Sequence, residues 1–378
     1  MKTGVFNYLE LDRVHFGTPV ADALRTEATQ RGAQRIFVVT SKSLNRKTDA
    51  VRGALAQIQP QLVGQFDDCV EHTPRDSVLA LADALRAAKA DLIISIGGGT
   101  VIDTVKVALV ALAENLTRIE QLDDWHMRVA ADGSRVVPQS RQPPCRQIAV
   151  PTTLSGAEFS DLGGCTDSRF GTKQGYTGAF IGAAAVILDP RITVHTPAQL
   201  WLSTGVRAID HAVEALCSVN AQPLIDATSV RALALLGRSL KRYVQAPDDL
   251  DARLDGQLGA WLAATSIRRT EYGASHGRGG CRAWGRARVE SKNGLRLGAK
   301  HSHAWRHGAH SQRRISPFLD STRRAGAIFG AIRRCRLVVG ENPRPRRRLG
   351  WHRNSPRRGP EPKPDSLLAG RSHPPDVA

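Results

Sequence analysis

Residues 91–114 read DLIISIGGGTVIDTVKVALVALAE, and this stretch decides the fold. An apolar run of strand length ends at Gly97, and a longer apolar segment of helical length begins at Thr100. A buried strand joined by glycines to a helix is typical of a parallel α/β sheet. Glycines at this junction also let a diphosphate approach the backbone at the positive end of the helix dipole. The turn is therefore a candidate nucleotide site, and a glycine-rich turn without a ligand is the alternative.

Similar short apolar runs recur along the first half of the chain. Strands are predicted at residues 35–40, 61–66, 91–96, 146–151 and 184–189. Segments with helical spacing lie between them, at 74–90 and 100–114. Strand, helix and strand in series predict a doubly wound α/β domain with a parallel sheet over residues 1–190. After Pro190 the strands stop, and helices near 204–219, 224–243 and 249–265 predict an all-α domain over residues 191–277.

A second polar turn follows the predicted strand at 146–151. Thr152 and Thr153 come directly after it. Open α/β sheets bind ligands at the carboxyl ends of their strands, so two such turns favour a nucleotide site. Ser41 ends the strand at 35–40, where an acidic residue would hold the ribose 2′-hydroxyl of NAD. Because Ser41 is not acidic, both NAD and NADP stay open.

The predicted helix that begins near Thr204 has two contrasting faces. We expect its core stripe to consist of Val206, Ile209, Val213 and Leu216. Another face then collects the polar residues Arg207, Asp210, His211 and Glu214. This polar face is either solvated, with Arg207 contacting Asp210 or His211, or part of a site.

Composition excludes several classes of protein. Hydrophobic residues make up 41% of the chain and charged residues 23%, as in globular proteins. No apolar stretch approaches the roughly 18 residues of a membrane helix, and the N-terminus carries acids where an export signal is apolar. The cysteines are scattered without a C-x-x-C pair. These features predict a cytoplasmic protein without a cysteine metal site.

The basic charge is confined to the C-terminal part of the chain. The formal net charge is +18, and residues 265–378 hold 26 of the 53 Lys and Arg but only 7 of the 35 Asp and Glu. Beyond about Gly277, Arg replaces Lys almost completely and the apolar periodicity fails. We expect residues 278–378 to be an irregular tail, translated out of frame from a GC-rich gene. A disordered basic tail or a nucleic-acid-binding arm is the alternative.

Several segments together resemble the iron-containing (group III) alcohol dehydrogenase family. They are GGGTVIDTVK (97–106), PTTLSGAEFSD (151–161), the stretch from Lys173 to ILDP (187–190), AIDHAVEAL (208–216) and GASHG (273–277). The resemblance covers about residues 14–277. It implies the dehydroquinate synthase-like architecture, in which hydride transfer takes place in a cleft between a nucleotide-binding α/β domain and a helical domain. It also implies dinucleotide contacts from Gly98, Gly99, Thr100, Asp103, Thr152, Thr153 and Lys173.

The resemblance further implies a metal site, and here the chain departs from the family. Family members hold a divalent metal, iron or zinc, with an Asp four residues before a His and with later histidines. His211 and His276 match, but Arg207 occupies the Asp position. A guanidinium cannot ligate a cation, and this departure is similar to the maleylacetate reductase branch, which works without iron. We therefore expect Arg207 to hold a substrate carboxylate or polarise a carbonyl, and His211 to relay a proton.

These features predict an NAD- or NADP-dependent oxidoreductase. It would transfer hydride between nicotinamide and an alcohol, a carbonyl or a maleylacetate-like acid, without requiring a metal. The expected partners are a small-molecule substrate and a second copy of the chain in a homodimer, with no membrane and no nucleic acid. The alternatives are an inactive frameshifted product, which would lack the later helices of the helical domain, and nucleic-acid binding through the basic tail.

Overall fold

The computed structural model describes residues 5–130 and 132–272. Within them, the central element is a six-stranded sheet in which all neighbours are parallel, with the order β1-β10-β7-β4-β2-β3. Its strands are β1 (Arg13–Phe16), β2 (Ile36–Thr40), β3 (Leu62–Phe66), β4 (Leu92–Gly97), β7 (Arg146–Pro151) and β10 (Ala183–Leu188). The predicted parallel sheet is confirmed, and each predicted strand is present within one residue of its expected bounds.

Antiparallel strand pairs in the described residues supplement this sheet. β5 (Arg128–Val129) pairs with β6 (Arg135–Val136), and β8 (Leu162–Asp167) pairs with β9 (Thr172–Thr177). These strands and β1 were not predicted from the sequence. The β8–β9 hairpin, LGGCTD and TKQGYT, is glycine-rich and polar, so it lacks the apolar alternation by which a strand is recognised.

Helices cover both faces of the sheet. They are α1 (Val20–Gln30), α2 (Lys42–Lys47), α3 (Ala50–Leu55), α4 (Arg75–Ala88) and α5 (Gly99–Ala113), with short 3-10 turns at Gln59–Gln61, Ile119–Asp124 and Ala157–Phe159. Alternate residues of β2 point to opposite faces. Phe37 and Val39 pack in a cluster with α4 and α5, whereas Ile36 and Val38 pack with α1 and α3. Because both faces are covered, the strands are apolar throughout.

Helices alone follow β10 in the described residues. They are α6 (Pro190–Thr193), α7 (Ala198–Leu216), α8 (Pro223–Gln245) and α9 (Leu250–Ala264). Trp201, Leu236 and Ala260 belong to their shared core, and so does Leu154 from the turn after β7. The polar turn is therefore anchored in the helical core. Among residues 5–130 and 132–272, no helix combines the length and hydropathy of a bilayer-spanning segment.

The core face of α7 differs from the predicted one. The expected stripe of Val206, Ile209, Val213 and Leu216 is only partly buried. The buried residues are instead mostly small: Trp201, Gly205, Ala208, His211, Ala212 and Ala215. Of the predicted stripe, Ile209 does pack against the helical core. The rest of the prediction is wrong because it assigned the core to large side chains, whereas α7 packs closely on its neighbours. A Cβ built on Gly205 would lie 2.7 Å from Cδ2 of Leu240 in α8.

Candidate active site

The glycine turn after β4 and the polar turn after β7 lie side by side at the carboxyl edge of the sheet. The Thr152 N–H donates to the carbonyl oxygen of Gly97 over 2.9 Å. A Cβ built on Gly98 would lie 2.9 Å from Cγ2 of Thr153, which is closer than real Cβ atoms approach other atoms. The absence of a side chain at Gly98 is therefore what lets the two turns meet.

The first turn of α5 is open to an anion. Gly98 is its N-cap residue, and no side chain caps it. A Cβ on Gly99 would lie 3.0 Å from Oγ of Ser155, so the polar turn also passes close to the start of the helix. Backbone N–H groups at such a terminus, together with the helix dipole, favour negative charge. The turn Gly98–Thr100 can thus hold a diphosphate between α5 and the polar turn.

Asp103 and Lys173 approach each other across Gly164. Oδ2 of Asp103 accepts the Gly164 N–H over 3.2 Å. A Cβ built on Gly164 would lie 2.9 Å from Cε of Lys173 and 3.3 Å from Oδ2 of Asp103. The structure therefore places the two predicted cofactor residues near each other, Asp103 on α5 and Lys173 on the β8–β9 hairpin.

Lys106 is a buried charged residue whose role was not predicted from the sequence. Its Nζ donates to the carbonyl oxygens of Ala157 and Leu162, at 2.5 and 2.9 Å, and lies 3.3 Å from Oδ1 of Asp103. These bonds tie the polar turn and β8 to α5. The signal in the sequence is a lone lysine inside the apolar run VKVALVALA, since a buried charge requires partners.

Glu158 is a second buried ionisable residue whose role was not predicted. Its Oε2 atom has no hydrogen-bond partner among the described residues. Burial is the main cause that raises the pKa of Glu158 to about 7, although the charge of Lys106 acts in the opposite direction. The carboxyl group is therefore largely protonated below neutral pH, in the turn that borders the nucleotide site.

Ser41 lies next to the glycine turn through the pairing of β2 and β4. Thr40 is in register with Ile96 and donates its hydroxyl to the Ile96 carbonyl oxygen over 2.8 Å. Ser41 then caps α2, because its Oγ accepts the N–H of Leu44 over 3.3 Å. The predicted ribose-side residue is thus at the expected edge of the sheet, with its hydroxyl engaged in a helix cap.

Arg207 is ion-paired to Asp210 on α7. Its Nη1 lies 2.9 Å from Oδ2 of the carboxylate, and 29% of the arginine side chain is exposed. This is the Arg207–Asp210 contact that the sequence left as one alternative. The guanidinium of Arg207 therefore stays partly accessible, and its ion pair with Asp210 sets its orientation on the helix.

His211 is buried against an aromatic residue that was not predicted. Its ring is stacked on that of Tyr272, with centroids 5.7 Å apart and planes 8° apart. The Tyr272 hydroxyl lies 2.8 Å from Oγ of Ser266. Burial raises the pKa of Tyr272 above its usual range, and the charge of Arg207 opposes this shift. Arg207, His211 and Tyr272 therefore form one cluster.

A hydrogen bond links α7 to the polar turn. The Leu154 N–H, in the polar turn, donates to Oγ1 of Thr204 over 3.1 Å. Thr204, Arg207 and His211 occupy one side of α7, because residues three, four and seven positions apart share a helix face. Arg207 is therefore one helical turn from the residue that contacts the polar turn.

The described residues do not fit a metal ion. Arg207 stands where the resemblance predicts an acidic ligand, and its charge repels a cation. Among residues 5–130 and 132–272, no group of three or more His, Cys, Asp or Glu side chains is arranged to hold a metal. His276, the other predicted ligand, lies outside the described residues, and so does the predicted tail at 278–378.

Comparisons with known proteins give the same family for both parts of the chain. The family model for iron-containing alcohol dehydrogenase matches residues 12–190, and that for the C-terminal part of the Fe-containing alcohol dehydrogenase family matches residues 201–278. The second match ends where the sequence predicts that likeness to the family ends. A shift of reading frame as its cause stays a prediction.

Individual relatives and a solved structure are similar to the chain over most of its described length. Dehydrogenase ALT3 of Alternaria alternata is 35% identical over 267 residues, which are 66% of this chain and 67% of the relative. Maleylacetate reductase 1 of Cupriavidus pinatubonensis is 28% identical over 276 residues, 73% of this chain and 68% of the relative. The crystal structure of maleylacetate reductase from Rhizobium sp. strain MTP-10005 matches with a TM-score of 0.59 and 25% identity, over 73% of this chain and 68% of that chain.

The chain thus spans about two thirds of the length of the relatives it matches. The matched residues include the glycine turn, the polar turn and α7. The chain belongs to the iron-containing alcohol dehydrogenase family, a family of oxidoreductases.

Proposed function

We propose that the chain is an NAD(P)-dependent oxidoreductase that acts on a small carbonyl or alcohol carrying a carboxylate, with Arg207 in place of a metal ion. The observation that supports this most directly is the position of Arg207. It lies one helical turn from Thr204, which is hydrogen-bonded to the polar turn at Leu154. An accessible cation next to a nucleotide site suits an anionic substrate.

The dinucleotide would lie across the carboxyl edge of the sheet. Gly98, Gly99 and Thr100 would hold its diphosphate, with Thr152 and Thr153 on the opposite side. Asp103 and Lys173 would contact it from α5 and the β8–β9 hairpin, and Ser41 would lie at the adenosine ribose. When bound, the nicotinamide supplies hydride to the substrate or accepts it. Either NAD or NADP is compatible with Ser41.

Arg207 and His211 would act on the substrate. A guanidinium can bind a carboxylate through two parallel N–H bonds, which fixes the orientation of the substrate as well as its charge. His211 lies one further turn along α7, where an imidazole can give a proton to the carbonyl oxygen as hydride reduces the carbonyl, or take the hydroxyl proton as the alcohol is oxidised. Packing on Tyr272 restricts the orientation of its ring. Because Arg207 occupies the position of the acidic ligand, no step of this proposal uses a metal.

The test is a titration of the full chain with NADH and NADPH, followed by the nicotinamide fluorescence. Saturable binding, followed by faster oxidation of the bound cofactor when a 2-keto acid is added than when a neutral aldehyde is added, would support the proposal. Absence of binding to either dinucleotide would contradict it. If the chain instead binds arbitrary duplex DNA with a steep salt dependence, the nucleic-acid alternative is favoured.

Homodimer formation and a cytoplasmic location stay predictions. The division of the chain into residues 1–190, 191–277 and 278–378 also stays a proposal. It agrees with the change from strands to helices after β10 within the described residues.

A further inference from the structure

Arg75 is an arginine with no exposed side-chain surface, and it lies at the first position of α4. Its Nη1 donates to Oδ1 of Asp123 over 2.6 Å and lies 3.4 Å from Oδ2 of Asp167. Its Nη2 donates to Oε1 of Gln174 over 2.7 Å. Asp167 ends β8 and Gln174 lies in β9. One buried guanidinium therefore joins α4 to both strands of the β8–β9 hairpin.

The residues just before Arg75 hold the same hairpin through their backbone. The Thr166 N–H donates to the carbonyl oxygen of Thr73 over 2.8 Å, and the Thr166 hydroxyl donates to that of His72 over 2.7 Å. His72 and Thr73 have φ values of 67° and 53°. Positive φ is unusual for residues other than glycine, above all for a β-branched one, and persists only where surrounding contacts enforce it.

These anchors surround Lys173. In the antiparallel register of the hairpin, Thr166 is opposite Lys173, and Cys165 is opposite Gln174. Thr166 is held by the backbone of residues 72–73, and Gln174, the next residue after Lys173, is held by Arg75. The backbone of Lys173 is thus fixed from across the hairpin and from its own strand.

The ion pairs of Arg75 favour a role in holding the β8–β9 hairpin in place over a role in the stability of the whole chain. Arg75 and Arg169 share the carboxylates of Asp123 and Asp167. Within this network, the Arg75–Asp167 pair is buried on both sides. Buried ion pairs gain little stability over an apolar replacement, because desolvation of the charges offsets their attraction. They do restrict the arrangement of the segments that carry them, since moving one partner leaves a buried charge unpaired.

We propose that Arg75 is a positioning residue that locks the β8–β9 hairpin so that Lys173 stays beside Asp103 at the dinucleotide site. This inference rests on the proposed function in one respect, the contact of Lys173 with the dinucleotide. Lys173 is the side chain of the hairpin that we propose contacts the dinucleotide, although the hairpin also bonds Asp103 through the Gly164 N–H. The effect of Arg75 on the cofactor is therefore expected to pass mainly through Lys173.

The experiment is a double-mutant cycle in the full chain, read as the dissociation constant for NADH or NADPH. Arg75→Met keeps most of the aliphatic part of the side chain without its charge. We expect it to weaken binding about tenfold, because a displaced Lys173 loses part of its contact with the dinucleotide. In the Lys173→Ala background the same change is expected to have a much smaller effect. Arg52→Met, at an arginine that is 80% exposed, is the control and should leave binding unchanged.

An equal loss in both backgrounds would overturn the proposal, because it would mean that Arg75 affects the site through general destabilisation. Should Arg75→Met fail to fold, Gln174→Met removes the link to β9 and leaves the other bonds of Arg75 in place. It is expected to show the same dependence on Lys173, and additive effects would again overturn the proposal.

Amide hydrogen exchange separates this proposal from the proposed function. In the ligand-free chain, Arg75→Met should speed exchange in residues 162–177 but not in α1. Unchanged exchange in the hairpin would refute the positioning role whether or not a dinucleotide binds. Faster exchange in a chain that binds neither dinucleotide would support the positioning role and contradict only the proposed function.

Discussion

The guanidinium of Arg207 is held 2.9 Å from the carboxylate of Asp210, three residues further along α7. One such bond occupies one of the five N–H donors of an arginine. Asp210 therefore sets the direction of a charge that can still bind a second carboxylate. At the position of an expected metal ligand, the chain thus presents a positive group that can bind an anion without a metal.

Replacement of Arg207 should affect acidic substrates selectively. Arg207→Ala is expected to lower kcat/KM for a 2-keto acid by about 100-fold, roughly 2.7 kcal/mol, because a charged hydrogen bond to the substrate is lost. A neutral aldehyde should show little change. Steady-state kinetics with both substrates measure this, with Arg231→Ala, at an exposed arginine of α8, as the control. Equal losses for both substrates would show that Arg207 does not bind the carboxylate.

Gly98→Ala should weaken dinucleotide binding. The new Cβ would lie 2.9 Å from Cγ2 of Thr153, so the two turns would have to separate. We expect the dissociation constant of NAD(P)H to rise at least about tenfold, which corresponds to roughly 1.4 kcal/mol. Gly53→Ala in α3 is the matched control, because a Cβ there meets nothing within 4 Å. It should leave binding unchanged and stabilise the helix slightly. A comparable loss of binding in both variants would contradict the proposal that the turn Gly98–Thr100 holds the diphosphate.

Glu158 should make stability depend on pH. Its pKa is about 7 in the folded chain against an ordinary value of 4.5, so the folded chain binds more protons between these values. The free energy of unfolding therefore falls as the pH rises from about 5 to above 7. Glu158→Gln cannot ionise and should be more stable than the wild type at pH 8 by about 1–3 kcal/mol.

Urea unfolding at pH 5.5 and pH 8 measures this difference. Glu120→Gln, at an exposed acid, is the control and should follow the wild type at both pH values. A Glu158→Gln variant whose stability falls with pH as much as that of the wild type would show that Glu158 is not the group responsible.

Ser41→Asp should shift the preference between cofactors. An aspartate can still cap α2 by accepting the Leu44 N–H, so the fold should be retained. Its carboxylate would accept a hydrogen bond from a ribose 2′-hydroxyl and repel a 2′-phosphate. The ratio of the NADPH to the NADH dissociation constant is expected to rise about tenfold or more. An unchanged ratio would place the ribose away from Ser41.

The local part of the site could be predicted from the sequence. The strand, the glycine turn and α5 follow one another between residues 91 and 114, so periodicity and turn chemistry identify them. The β8–β9 hairpin could not be predicted, since it is polar and depends on contacts with Arg75, which is far away in the chain. The buried face of α7 was wrongly assigned because the closeness of its packing on α8 is a tertiary property. The alignment of Tyr272 with His211 is tertiary for the same reason.

The central claim is that Arg207, and not a metal ion, acts beside the dinucleotide. The most direct test is turnover of a 2-keto acid with NADH or NADPH by the purified full chain, before and after exhaustive treatment with a chelator, with metal content measured in parallel. The account predicts equal turnover in both samples. Loss of turnover on chelation that is restored by iron or zinc would contradict it.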